Sequence, residues 1–240
     1  MKYFPISVDT EDKKILILGG GKVATRKVKT LLDTKFEIYV IGATFEEELL
    51  ELSKDYPERV KLKGSFVNRD FVFMGYDYVI IATNDTHLND HLEETAIQRS
   101  IPYVRCDHRS KSSFIMNKVL TQGDITVSIS AGGNNPTVAE LVAKDLELTL
   151  SRINPDKIKI LNQIREALVR KNTPNVKEII EDLYYKEIFT LNTYLEELHE
   201  DKTGDQGEQP GSDTNDNDKD TVGENPSSSG SGNQNHKNEG

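Results

Sequence analysis

The sequence predicts an α/β fold, a doubly wound parallel sheet followed by a small β-hairpin with a helical region and then an acidic tail. Three observations carry this. The apolar run Ile15-Leu16-Ile17-Leu18 stops at Gly19-Gly20-Gly21, after which Ala24, Val28, Leu31 and Leu32 fall at helical spacing. Strand-like and helix-like segments then alternate through residue 106. Beyond that point two strand signals flank the Gly-containing stretch Thr121-Gln122-Gly123-Asp124, as in a hairpin.

The first strand is read as a buried one because its apolar run is continuous, as in sheets covered on both faces. Residues 36–42 give a second strand, closing a right-handed βαβ unit. A helix over 45–56 places Phe45, Leu49 and Leu52 inward. Val60-Lys61-Leu62-Lys63 reads as a short strand and 76–82 as a longer one. Leu88, Leu92 and Ala96 mark a helix, and Ile101-Pro102-Tyr103-Val104 a last strand. The hairpin strands are expected at 114–120 and 125–130, the second with Ile125, Val127 and Ile129 on one buried face. Asn135 and Pro136 suit the cap and first position of a helix reaching about Leu150, with Val138, Leu141, Val142 and Leu146 apolar. Two further helices are expected, near 157–170 and 175–199. The resulting domains are 1–112 (nucleotide-binding), 113–150 (hairpin and helix), 151–200 (helical) and 201–240 (tail).

Composition narrows the class. In 201–240 the only aliphatic side chain is Val222, so the segment cannot bury enough apolar surface to offset its ordering entropy and is expected to be disordered. That segment holds much of the formal net charge of −10. An acidic balance argues against nucleic acid as a partner. The single cysteine, Cys106, excludes an internal disulfide framework and suits a reducing cytoplasm. No apolar stretch approaches the ~20 residues of a membrane span, so no membrane association is expected.

The spacing Gly19-x-Gly21-x-x-Ala24, set between strand and helix, is the dinucleotide-binding fingerprint of a Rossmann-like domain. Gly19 allows the sharp turn, Gly21 lets backbone approach a pyrophosphate, and a small residue at 24 lets helix and strand pack closely. Gly20, Lys22 and Val23 complete the candidate loop, whose helix start offers unpaired N–H groups to phosphate. Thr83 and Asn84 stand at the carboxyl end of a strand, where open α/β sheets hold ligands. No acid or base ends the second strand, so the sequence does not separate NAD from NADP; the first carboxylate is Glu46.

Asp107 follows the last strand and is the candidate catalytic group, able to act as a general base if a transferable proton lies within reach. Arg105, His108, Arg109, Lys111 and Lys118 surround it in sequence. An acidic protein that binds an anion must concentrate its cations locally. Gly132, Gly133 and Asn134, before the Asn135 cap, make a second helix start suited to anionic groups. His87 and His91 share a helical face but sequence places no third ligand with them, so no metal site is assigned.

Taken together, Tyr3-Phe4-Pro5-Ile6, Gly19-Gly20-Gly21-Lys22-Val23-Ala24-Thr25-Arg26-Lys27, Ala82-Thr83-Asn84-Asp85, Asp107, Ser113-Phe114-Ile115-Met116 and Ser128-Ile129-Ser130-Ala131-Gly132-Gly133-Asn134-Asn135-Pro136 resemble the precorrin-2 dehydrogenase family, the dehydrogenase/ferrochelatase module of siroheme synthases. The resemblance covers residues 2–150 in order. It implies NAD-dependent oxidation of precorrin-2 to sirohydrochlorin, in some members followed by insertion of Fe²⁺. It also implies a homodimer built through the segment after the nucleotide domain, and it matches the family's key carboxylate to Asp107. Arg105, His108, Arg109, Lys118, Gly132, Gly133 and Asn134 are then the expected contacts to substrate carboxylates. Ala131, Asn135 and Asn117 depart from the family's common Ser, Ser and Pro. The competing reading is a non-catalytic NAD-binding module that senses redox state.

Overall fold

The computed structural model describes residues 2–108, 111–132 and 135–200. The tail (201–240) and Arg109, Gly133 and Asn134, for which the sequence raises expectations, lie outside the described residues. Strands β1 (Lys14–Leu18), β2 (Glu37–Gly42), β3 (Val60–Gly64), β4 (Tyr78–Ile81) and β5 (Tyr103–Arg105) form one parallel sheet in the order β3-β2-β1-β4-β5. The order reverses between β1 and β4, which is where such sheets open a crevice at their carboxyl ends.

Helices α1 (Lys22–Leu31), α2 (Glu47–Asp55) and α3 (Thr86–Gln98) cover the sheet. Alternate residues of β1 feed two cores. Ile15 and Ile17 pack with Ala24, Val28 and Leu31 of α1, while Leu16 and Leu18 pack with Leu92 and Ala96 of α3. All four are buried, as the unbroken apolar run required. Phe114 and Met116 also pack on the first of these cores, and Phe114 meets Tyr78 edge-on at 5.7 Å, as Tyr78 meets Phe36 at 5.4 Å. The sheet's core therefore continues past residue 112.

The hairpin is narrower than its sequence signal. Strand β6 (Lys118–Gln122) pairs antiparallel with β7 (Ile125–Ile129), and residues 114–117 are not strand because their side chains are drawn onto the sheet. Gly123 takes a positive φ of 56° in the two-residue turn, as a hairpin of this length demands. Helix α4 (Pro136–Leu150) starts as expected, with Asn135 Oδ1 accepting from the Val138 N–H at 3.1 Å. Its buried side is not the apolar stripe read from sequence. Ala143 and Leu150 face the hairpin and Ala139 is buried beside a cleft between α1 and the hairpin region, whereas Val138, Leu141, Val142 and Leu146 are exposed.

Helix α5 (Pro155–Arg170) is followed by two helices, α6 (Val176–Tyr184) and α7 (Ile188–Glu200), where one was expected over 175–199. Geometry explains the break. Leu183 and Leu191 both bury against Leu161, Ile164 and Leu168 of α5. Eight residues of continuous helix would turn them about 80° apart, given ~3.6 residues per turn.

Candidate active site

The glycine turn is shaped as the fingerprint requires. Gly19 has φ +116°, and a Cβ there would strike the Ala82 carbonyl; a Cβ on Gly20 would strike the Thr44 carbonyl. Around Gly21 there is open space within 4 Å of the Cβ position. Two glycines are thus needed for packing of the β1, β2 and β4 ends, and the third leaves its face clear for a ligand. Gly21 is the N-cap of α1 without a side-chain cap, so the first N–H groups of α1 face outward with Lys22 and Val23 at the surface. Ala24 is fully buried against the sheet. Glu46, the first carboxylate after β2, is drawn to the turn by its backbone N–H, which donates to the Gly20 carbonyl at 2.9 Å.

The second part of the site is the end of β4 and the loop after β5. Thr83 follows Ala82, whose carbonyl lies against Gly19, and Asn84 is exposed beside it. Asp107 sits across from them. Its Oδ1 accepts from Arg105 Nε and its Oδ2 from Arg105 Nη2, both at 2.8 Å, while Asn89 Nδ2 donates to Oδ2 at 3.0 Å. The forked guanidinium, and secondarily the Asn89 amide, hold its carboxyl at about 2 against a burial effect that pushes the other way. Asp107 is therefore a fixed anion at neutral pH.

Arg105 does not face a ligand. Its side chain has no exposed surface, and its Nη1 also donates to Asp90 Oδ1 at 2.9 Å and Glu93 Oε2 at 2.6 Å. A buried guanidinium must be paired, and three carboxylates pair this one. The expectation that Arg105 contacts substrate is corrected on that ground. Lys111 is likewise spent on Asp90 at 3.0 Å. Tyr103, packed in the same network, donates toward Glu93 and the Lys111 carbonyl, and burial first and Glu93 next push its hydroxyl up to about 12. His108 is exposed, and His91 Nε2 pairs with the Arg69 carbonyl at 2.8 Å. Among the described residues, the basic cluster seen in sequence is thus divided between an ion network (Arg105 and Lys111), solvent (His108) and a cleft (Lys118).

Lys118 does reach a cleft, of about 520 Å³, that opens between α1 and the hairpin region. Val23, Arg26, Lys27 and Thr30 of α1 form one wall, with Met116, Lys118, Ser130 and Asn135 opposite and Cys106 also lining it. Arg26 and Lys27 were missed as site residues. Their signal was helical phase, since 23, 26, 27 and 30 share one face of a helix whose start carries the glycines. Gly132 lies instead at the edge of a second, more apolar cavity of about 1050 Å³, lined by Phe4, Ile6, Phe36 and Tyr78. That cavity is at the amino ends of the strands, away from the glycine turn. Among the described residues no helix is long and apolar enough to cross a membrane.

Residues 6–118 match a family described as "Putative NAD(P)-binding". The chain is 28% identical over 179 residues to a siroheme synthase of Buchnera aphidicola subsp. Acyrthosiphon pisum, covering 74% of this chain and 37% of that protein. With a siroheme synthase of Nitrosomonas eutropha the identity is 33% over 147 residues, covering 61% and 30%. The chain is similar to siroheme synthases over these stretches. These relatives are longer proteins, and the chain spans about a third of their length. The chain's fold is also that of a solved structure, SirC, precorrin-2 dehydrogenase, with a TM-score of 0.63 at 20% identity over 82% of this chain and 99% of that one.

Proposed function

We propose that the protein oxidises precorrin-2 to sirohydrochlorin with NAD as the hydride acceptor. The observation that carries this reading is the Asp107 carboxylate, fixed as an anion at the carboxyl end of β5 and joined through Asn89 to Thr83 beside the glycine turn. The names of the relatives supply the substrate and the open face of Gly21 fits the cofactor. Gly19, Gly20, Gly21, Lys22, Val23 and Ala24 would hold the pyrophosphate, with Thr83 and Asn84 on the far side of the crevice. NAD, when bound, accepts the hydride that leaves a ring carbon of the tetrapyrrole, and one proton departs to complete the two-electron oxidation.

The role we assign to Asp107 is charge stabilisation more than proton uptake. A carboxyl held at about 2 is a weak acceptor at neutral pH, yet a preorganised anion lowers the energy of positive charge developing as hydride leaves. The proton then goes to solvent or to a second carboxylate of the substrate. Arg26, Lys27 and Lys118 give the cleft three cations for the substrate's carboxylates, with Glu140 the carboxylate that lines it with them. His108, Arg109, Gly132, Gly133 and Asn134 stay proposed as flanking contacts.

We further propose a homodimer, with the exposed stripe Val138, Leu141, Val142 and Leu146 of α4 covered by a second copy. Fe²⁺ insertion is proposed as a second reaction in the same cleft, and the cytoplasm as the compartment. The test is anaerobic incubation with precorrin-2 and NAD⁺, followed by the absorbance of reduced nicotinamide and of sirohydrochlorin, then addition of Fe²⁺. Stoichiometric NADH and sirohydrochlorin are expected. Nucleotide binding without turnover would favour the redox-sensing reading instead.

A further inference from the structure

Asn89 is a polar residue with 1% of its surface exposed, in the second turn of α3. Its carboxamide is fully matched. Oδ1 accepts from the Thr83 hydroxyl, and Nδ2 donates to the Thr83 carbonyl at 3.1 Å and to Asp107 Oδ2 at 3.0 Å. A buried amide needs each of these partners, and only an amide satisfies this set. An aspartate in its place would set acceptor against acceptor, facing both the Thr83 carbonyl and the Asp107 carboxylate. An apolar residue would leave the Thr83 hydroxyl without this acceptor and remove a donor from Asp107.

Retention of the Asp107 charge rests mainly on Arg105, which bonds both carboxylate oxygens. What Asn89 adds is a tie in a different direction. Arg105 lies two residues away on the same strand end and moves with Asp107, whereas Asn89 belongs to α3 and is bonded to Thr83. Thr83 in turn follows the Ala82 carbonyl that packs on Gly19. One side chain thus joins the β4 end of the nucleotide crevice to the carboxylate of the β5 loop.

We propose that Asn89 is a positioning residue, which fixes the Asp107 carboxylate relative to the nucleotide crevice through Thr83. This rests on the reading of Asp107 given under Proposed function. In that reading the glycine turn holds the pyrophosphate and the cleft cations hold the substrate, so Asn89 acts first on the rate of hydride transfer and only weakly, through Thr83, on NADH affinity. A misplaced charge of this kind is costly, since a shift of ~1 Å can lower a rate by about 10²-fold.

The experiment compares wild type, Asn89→Asp and Asn89→Ala for kcat and KM with precorrin-2 and NAD⁺, for NADH dissociation constant by fluorescence, and for melting temperature. Asn89→Asp conserves size and replaces the donor, so kcat is expected to fall roughly tenfold or more while KM and the NADH constant stay within about threefold. Asn89→Ala is expected to lower kcat in the same direction. A kcat within about twofold of wild type in both variants, or a loss carried by KM or NADH affinity, overturns the proposal. If Asn89→Asp does not fold, Asn89→Ala decides by the same criteria. Wild type that binds NADH but does not turn over precorrin-2 overturns the reading of Asp107 and this inference with it, an outcome distinct from normal turnover in the variants.

Discussion

Asp107 and Arg105 exchange two hydrogen bonds at 2.8 Å, and this pair sets what each residue can do. Asp107→Ala is expected to abolish NADH formation while leaving NADH binding unchanged, as measured by nucleotide fluorescence. Arg105→Met strands three carboxylates around a vanished charge and should lower the unfolding free energy by about 3–5 kcal/mol, read from urea denaturation. The carboxyl of Asp107 titrates near 2 in the folded chain against an ordinary 3.8, so its contribution is complete above pH 4 and is lost as pH falls from there towards 2. Asp107→Asn should accordingly flatten the fall in urea midpoint over that pH window. At this scale sequence conveyed identity better than role. Asp107 could be singled out because it follows a strand end, and Gly19 and Gly21 because their spacing is diagnostic. Arg105 could not be read correctly, because whether an arginine faces a ligand or a buried carboxylate depends on Asp90 and Glu93, which lie 12 to 15 positions away on another element.

Among elements, α1 serves two sites at once. Its first turn meets the glycine crevice, while Arg26, Lys27 and Thr30 on its flank line the cleft beside the hairpin. Gly21→Asp places a negative charge where the pyrophosphate would lie and should weaken NADH binding at least about tenfold, equivalent to ~1.4 kcal/mol, as checked by fluorescence titration. The elements of the sheet were legible because continuous apolar runs such as Ile15-Leu16-Ile17-Leu18 have one reading when both faces are covered. Helix α4 was not, because Ala143 gives a weak hydrophobic signal yet permits close packing on β6 and β7, while the strongly apolar stripe beside it is left outside. The break between α6 and α7 was hidden for a similar reason, since it is dictated by the shared partner α5 and not by any Gly or Pro in Tyr185-Lys186-Glu187.

For the whole molecule, the exposed stripe on α4 bears on assembly. Leu141→Glu should shift the protein toward monomer in sedimentation, because Leu141 is 57% exposed and the change leaves the chain's own core intact. The two cores under the sheet and the one around β6 and β7 are very unequal. The latter rests on Leu120, Ala143 and Leu150, with Ile125, Val127, Ile129 and Ile153 half-covered. A lone two-stranded ribbon has little stability of its own. One wall of the cleft is therefore built beside a thinly buried ribbon and the other from the densely buried side of α1 and the sheet. Amide exchange should report this as a gradient, with the amides of β6 and β7 trading hydrogen for deuterium well before those of β1, and with the gap narrowing as protein concentration rises. Entry of the proposed tetrapyrrole would then proceed by brief loosening of the ribbon side, with the strand-and-helix side serving as a fixed anvil.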